Sequence, residues 1–160
     1  MTLEGLNEDF RDLLVVLADA GAEFVIVGAY ALAFHGVPRA SGDIDLFVRP
    51  TPENSRRVIS ALARFGAPLE AAGVTAADFS QPGAVYQIGL PPRRIDVLTQ
   101  VSGLTFEEAW TSRVAIELEG RTVNFIGRAA LLKNKEAAGR PQDIADAARL
   151  RRIEPGPEPD

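Results

Sequence analysis

An α/β fold with a central mixed β-sheet and helices packed on it is what this sequence predicts, and three observations carry the prediction. Short β-branched runs such as Val25-Ile26-Val27 alternate with stretches whose apolar residues recur at helical spacing. A helical stretch also separates two strands, which implies a crossover onto one sheet. Later in the chain, two pairs of strand-like runs flank tight turns, the pattern of β-hairpins and so of antiparallel neighbours.

The elements follow in order. Between Leu3 and Ala20, Leu6, Phe10, Leu13, Leu14 and Leu17 form one apolar stripe, and Gly21 suits the end of that helix. Val25 to Val27 is the first strand, and Gly28 allows a tight turn into a short helix at Tyr30 to Phe34 that Gly36 and Pro38 close. Asp43 to Val48 is the second strand. Thr51 and Pro52 open a helix whose buried stripe is Val58, Ile59, Leu62 and Phe65 and whose stop is Gly66. Ala67 to Gly83 reads as a surface connection with one short helix. Ala84 to Ile88 and Arg93 to Leu98 form a first hairpin, joined by Gly89 to Pro92. A short helix at Phe106 to Thr111 precedes a second hairpin, Val114 to Leu118 and Thr122 to Ile126, expected at a sheet edge. Two helices then run from Gly127 to Ala138 and from Pro141 to about Arg152. One domain over residues 1–153 is expected, with a proline-rich disordered tail over 154–160.

Composition narrows the function. The 160 residues carry 46% hydrophobic and 24% charged side chains, values of a globular chain with a real core. Cysteine is absent, which removes disulfides, thiolate zinc sites and thiol catalysis and suits a reducing cytoplasm. An acidic N-terminus lacks the basic start of a signal peptide, and no apolar run reaches membrane-spanning length, so a soluble cytoplasmic protein is expected. The net charge of −5 supplies no overall attraction to nucleic acid. Arg39, Arg49, Arg56 and Arg57 lie near Asp43 and Asp45 in sequence, where local basic groups can serve a nucleotide.

The chemistry sits on three aspartates. In Asp43-Ile44-Asp45-Leu46-Phe47-Val48, strand geometry sends both acids to one face with Cα atoms roughly 6–7 Å apart. Two carboxylates so placed can converge on one hard cation or a pair of them. Asp96, between Ile95 and Val97 on a later strand, offers a third. In the helix after Gly127, Lys135 shares an apolar stripe with Leu131, Leu132 and Ala138, so it needs an anion, either a carboxylate such as Asp143 or Asp146 or a bound phosphate. His35, the single histidine, suits a helix end and a carbonyl partner, and stays outside the catalytic set.

Gly28-Ala29, then Asp43-Ile44-Asp45, then Asp96, resembles the nucleotidyltransferase superfamily related to DNA polymerase beta. The run from Leu131 to Asp146, LLKNKEAAGRPQDIAD, is similar to the C-terminal helices of small bacterial members akin to abortive-infection toxins. The resemblance implies a nucleotidyltransferase-like fold and transfer of a nucleoside monophosphate from a nucleoside triphosphate to an RNA, protein or small-molecule acceptor. It also implies two Mg²⁺ or Mn²⁺ ions on Asp43, Asp45 and Asp96, and phosphate contacts from Gly28, Ala29, Arg39 and Lys135. Many members have serine where this chain has Ala29. That departure keeps a second expectation open, a nucleotide- or partner-binding module, antitoxin or regulatory, that keeps the fold without transfer. Asp43 and Asp45 on a solvent-facing edge strand, Gly28 as a plain turn residue and Arg39 as a loop surface charge are the structural alternatives. An antitoxin partner and pairing of an edge hairpin across a two-fold axis complete the expected partners.

Overall fold

The computed structural model describes residues 6–39, 42–90 and 93–153. The segment before residue 6, the proline pair in the first hairpin turn and the expected disordered tail at 154–160 lie outside the described residues.

Helix α1 (Glu8–Asp19) is capped by the Asn7 side chain, which accepts the Asp9 N–H at 2.7 Å, and buries Phe10, Leu13, Leu14 and Leu17. Strand β1 (Phe24–Val27) is buried along its whole length, and α2 (Gly28–Phe34) starts at the very next residue. Strand β2 spans Ile44–Val48, so Asp43 stands one residue before the strand rather than in it. Helix α3 (Pro52–Phe65) has the expected Thr51 cap and ends on Gly66 in the left-handed region, φ 94°. The expected single short helix over 67–83 is instead two short turns, α4 (Leu69–Ala72) and a 3₁₀ turn at Asp78–Ser80 that buries Phe79. Propensity cannot show that second turn, because it is held by packing outside the turn itself, Phe79 being buried and meeting Tyr86 with centroids 6.4 Å apart.

Strands β3 (Val85–Ile88) and β4 (Ile95–Leu98) pair antiparallel, as do β5 (Val114–Leu118) and β6 (Arg121–Phe125). Both hairpins are therefore where the sequence puts them. The six strands form one sheet in the order β3-β4-β2-β1-β6-β5, with β5 at an edge. Pairing is parallel for β2 with β4 and β1 with β6 and antiparallel elsewhere, so the sheet is mixed. Between β4 and β5, α5 (Phe106–Thr111) has a full capping box from Thr105 and Glu108, and its Phe106 meets Phe47 edge-on at 5.1 Å. Helices α6 (Arg128–Ala138) and α7 (Pro141–Arg152) complete the chain.

Two buried polar residues tie the framework. Asn54 on α3 accepts the Glu23 N–H at 2.7 Å and donates to the carbonyls of Glu23 and Arg49, both at 3.0 Å, joining the start of β1 to the end of β2. His35, the residue after α2, places Nε2 2.7 Å from the Ile126 carbonyl beyond β6. This is the carbonyl contact expected of it.

Candidate active site

The parallel register of β2 and β4 sets Asp45 directly beside Asp96, and the antiparallel register of β1 sets Val27 on the other side of Asp45. On the outer strand Gln87 faces Asp96. One row across four strands thus reads Gln87, Asp96, Asp45, Val27, and the acids occupy the middle of a sheet rather than the solvent-facing edge of the alternative reading. Asp96 is buried and Asp45 half-buried. Asp43 enters the group from just before β2: its Oδ1 accepts the backbone N–H of Arg94 at 3.0 Å.

Arg94 also extends its side chain into the group. Its guanidinium donates through Nε to Asp96 Oδ1 at 2.8 Å and through an Nη to Asp96 Oδ2 at 3.1 Å, and stands 3.7 Å from Asp43 Oδ2. Burial, then the negative charge of Asp96 and a hydrogen bond to it, push the Asp45 carboxyl up from 3.8 to about 7, against the pull of Arg94. Tyr30, on the first turn of α2, has its phenol raised by burial and by the Asp43 charge, which puts it within electrostatic reach of the site.

Gly28 is the floor beneath Asp45. Its φ of 71° lies in the left-handed region, and a Cβ there would sit 2.2 Å from Asp45 Oδ2. A plain turn glycine needs only the first property; this one has both. Ala29 follows on the first turn of α2, whose N-terminus has no side-chain cap.

By donor type and charge, three carboxylates suit a hard divalent cation, whose charge would offset the crowding that raises the Asp45 carboxyl. Among the described residues, no three acidic side chains already surround a single point as they do around a bound ion. The guanidinium of Arg94 lies among them instead.

Arg39 and Lys135 have partners outside the aspartate group. Both pair with α7: Arg39 with Asp146 at 2.5 Å, and Lys135 with Asp143 at 3.4 Å and Asp146 at 3.6 Å. Asp143 and Asp146 are both buried, and Asp143 further accepts from the Arg140 backbone and guanidinium at 2.6 to 3.3 Å. Lys135 thus has the carboxylate partners that its place in an apolar stripe demands, and Arg39 is tied down rather than a free surface charge. Asp143→Ala is expected to cost about 3 kcal/mol, because it leaves the half-buried ammonium with only Asp146, which Arg39 already shares; urea unfolding measures it. The hydrogen bonds from Arg140 hold the Asp143 carboxyl below its usual range. Its contribution is therefore complete above the ordinary aspartate value and is lost as the pH falls through the lowered one.

Arg49 is at the far end of β2 from Asp45, over the Phe106 ring at 4.7 Å and bonded to Glu23 and Glu107. Arg57 pairs with Glu53 one helical turn away. Closeness in sequence to the aspartates therefore does not bring Arg49 to them. Arg94, Tyr30 and Gln87 were not singled out from sequence. For Arg94 the signal existed, since a residue two places before Asp96 faces the same way on an extended chain.

Solved structures with this fold include a candidate nucleotidyltransferase from Thermotoga maritima, at TM-score 0.51 and 12% identity over 92% of this chain and 93% of that one. The antibiotic-resistance factor ANT(2″)-Ia matches at TM-score 0.53 and 13% identity, over 89% and 80%. The fold is nucleotidyltransferase-like. Residues 12–125 match the family described as the nucleotidyl transferase AbiEii toxin of type IV toxin–antitoxin systems, and the chain belongs to that family. No curated protein matches it. The match contains all three aspartates and Gly28; the helices that carry Lys135, Asp143 and Asp146 follow it. No helix among the described residues is long and apolar enough to cross a membrane.

Proposed function

We propose that this chain is a metal-dependent nucleotidyltransferase that moves a nucleoside monophosphate from a nucleoside triphosphate to an acceptor hydroxyl or phosphate on RNA, protein or a small molecule. The observation that carries the reading is the placement of Asp45 and Asp96 side by side over Gly28, with Asp43 joined to them through Arg94. In the reaction an acceptor oxygen bonds to the α-phosphorus, the bond from that phosphorus to the pyrophosphate oxygen breaks, and the acceptor proton is released. Asp43, Asp45 and Asp96 would hold two Mg²⁺ or Mn²⁺ ions, which supply charge neutralisation for the triphosphate and lower the acceptor's proton affinity.

The chain's own residues divide the remaining work. Asp96, buried beside Asp45, favours deprotonation of the acceptor. Gly28 and Ala29 present backbone N–H groups at an uncapped helix start, next to the aspartates, to the phosphates. Arg39 and Lys135, as further phosphate contacts, would have to share their charge with Asp146 and Asp143. Membership of a toxin family supports a toxin role and an antitoxin encoded with it.

The test is pyrophosphate release from each of the four nucleoside triphosphates with Mg²⁺ or Mn²⁺, wild type beside Asp45→Asn, with cell extract as the source of acceptor. Release that needs both metal and Asp45 is the expected result. Metal-dependent nucleotide binding without release would instead favour a binding module, the reading to which Ala29 in place of serine points.

A further inference from the structure

Arg94 satisfies two of the three site acids from one residue: its backbone N–H holds Asp43 Oδ1 at 3.0 Å, and its side chain holds both oxygens of Asp96 at 2.8 and 3.1 Å. The two contacts are separable. A backbone N–H stays in place whatever the side chain does, whereas the Arg94 side chain as a whole is 29% exposed. Asp96 is more enclosed, with a side chain only 10% exposed on a central strand.

A forked guanidinium uses both carboxylate oxygens in their plane. A hard cation takes those same lone pairs at roughly 2.0–2.1 Å, far inside the space that the fork occupies. Both cannot sit on Asp96 in these directions, and two positive centres so close would repel.

We propose that Arg94 is the resident counter-cation of the aspartate site, and that its ion pair with Asp96 and the binding of a divalent cation exclude each other. The side chain stabilises the acids while no metal is bound and must swing off Asp96 before that carboxylate becomes a ligand. Arg94 is thus a positioning residue that sets the metal affinity of the site. This rests on the reading of the three aspartates as metal-holding.

Mn²⁺ binding, followed by calorimetry and by the electron paramagnetic resonance of the free ion, tests it without any turnover. Arg94→Ala is expected to bind Mn²⁺ at least about tenfold more tightly than wild type, equivalent to about 1.4 kcal/mol. Arg94→Lys, which keeps a charge but not the fork, should fall between them. Arg93→Ala removes the same charge from an exposed neighbour and should change affinity less than about twofold, the size of a screened surface effect. In EDTA, Arg94→Ala should melt below wild type, and Mn²⁺ should raise its melting temperature by more. Equal or weaker Mn²⁺ binding by folded Arg94→Ala and Arg94→Lys overturns the proposal while leaving the metal reading intact. Absence of Mn²⁺ binding in every protein, wild type included, overturns both.

Discussion

Asp45→Asn is expected to abolish transfer and, in EDTA at pH 8, to make the protein more stable than wild type. The Asp45 carboxyl, ordinarily at 3.8, is pushed to about 7 by burial and by Asp96. A folded-state value above the unfolded one means that the folded chain holds the proton more tightly, so ionising Asp45 costs stability. That cost is absent below the ordinary value, accumulates as the pH rises towards about 7, and is complete above it. At 1.36 kcal/mol per unit it amounts to a few kcal/mol.

Asparagine keeps the shape and can donate an N–H to Asp96, so the variant escapes the cost without opening a cavity. Urea midpoints in EDTA should therefore differ little between the two proteins near pH 4 and diverge up to pH 8, with the variant ahead. Adding Mg²⁺ should reverse the order, because wild type, with all three carboxylates, gains more binding energy from the ion than the variant. Transfer should fall by about 10³-fold or more, the loss of several kcal/mol of transition-state charge stabilisation. A variant no more stable than wild type at pH 8 would remove the charge strain on which this expectation rests.

Gly28→Ala should be the most damaging single-methyl change at the site. Two costs combine at this position. A φ of 71° strains any residue with a Cβ, and the new methyl would stand 2.2 Å from Asp45 Oδ2. Gly66→Ala separates the two, because Gly66 also has a left-handed φ, 94°, but open space where the Cβ would be. Gly66→Ala is expected to cost about 1–2 kcal/mol and to leave turnover per folded molecule unchanged. Gly28→Ala should cost at least as much and also move the Asp45 carboxylate, so that pyrophosphate release falls at least about a hundredfold. Equal activities per folded molecule for the two variants would mean that the close approach of Gly28 to Asp45 has no part in function.

Much of the frame is local and was legible. Thr51, Pro52 and Gly66 bound α3 because caps act within a turn of the backbone they serve. Each hairpin joins runs close in sequence, so pairing partners are neighbours. The three aspartates as candidates were also legible, through the likeness to a known aspartate pattern, although Asp43 lies before β2 and meets the group through the Arg94 N–H rather than through strand alternation. Spacing alone could not place Asp96 beside Asp45, since that depends on β4 pairing with β2 across the intervening α3 and β3.

By itself, then, the sequence determined the element types and the glycine turn, properties of short-range sterics and periodicity. The mixed sheet followed from the crossover and the hairpins, and the candidate acids from the family resemblance. The tertiary structure alone decided which charges meet. Arg49, four residues from Asp45, goes to the aromatic pair Phe106 and Trp110, while Arg39 finds Asp146 more than a hundred residues away. Lys135 takes the carboxylates of the next helix, the partners that its apolar stripe had already suggested beside a phosphate, whereas Arg94, with no role read from sequence, stands at the centre of the site. Side-chain charge carries no periodicity that specifies its partner. Only the packed sheet and helices, by setting distance and burial, choose which oppositely charged groups compensate one another.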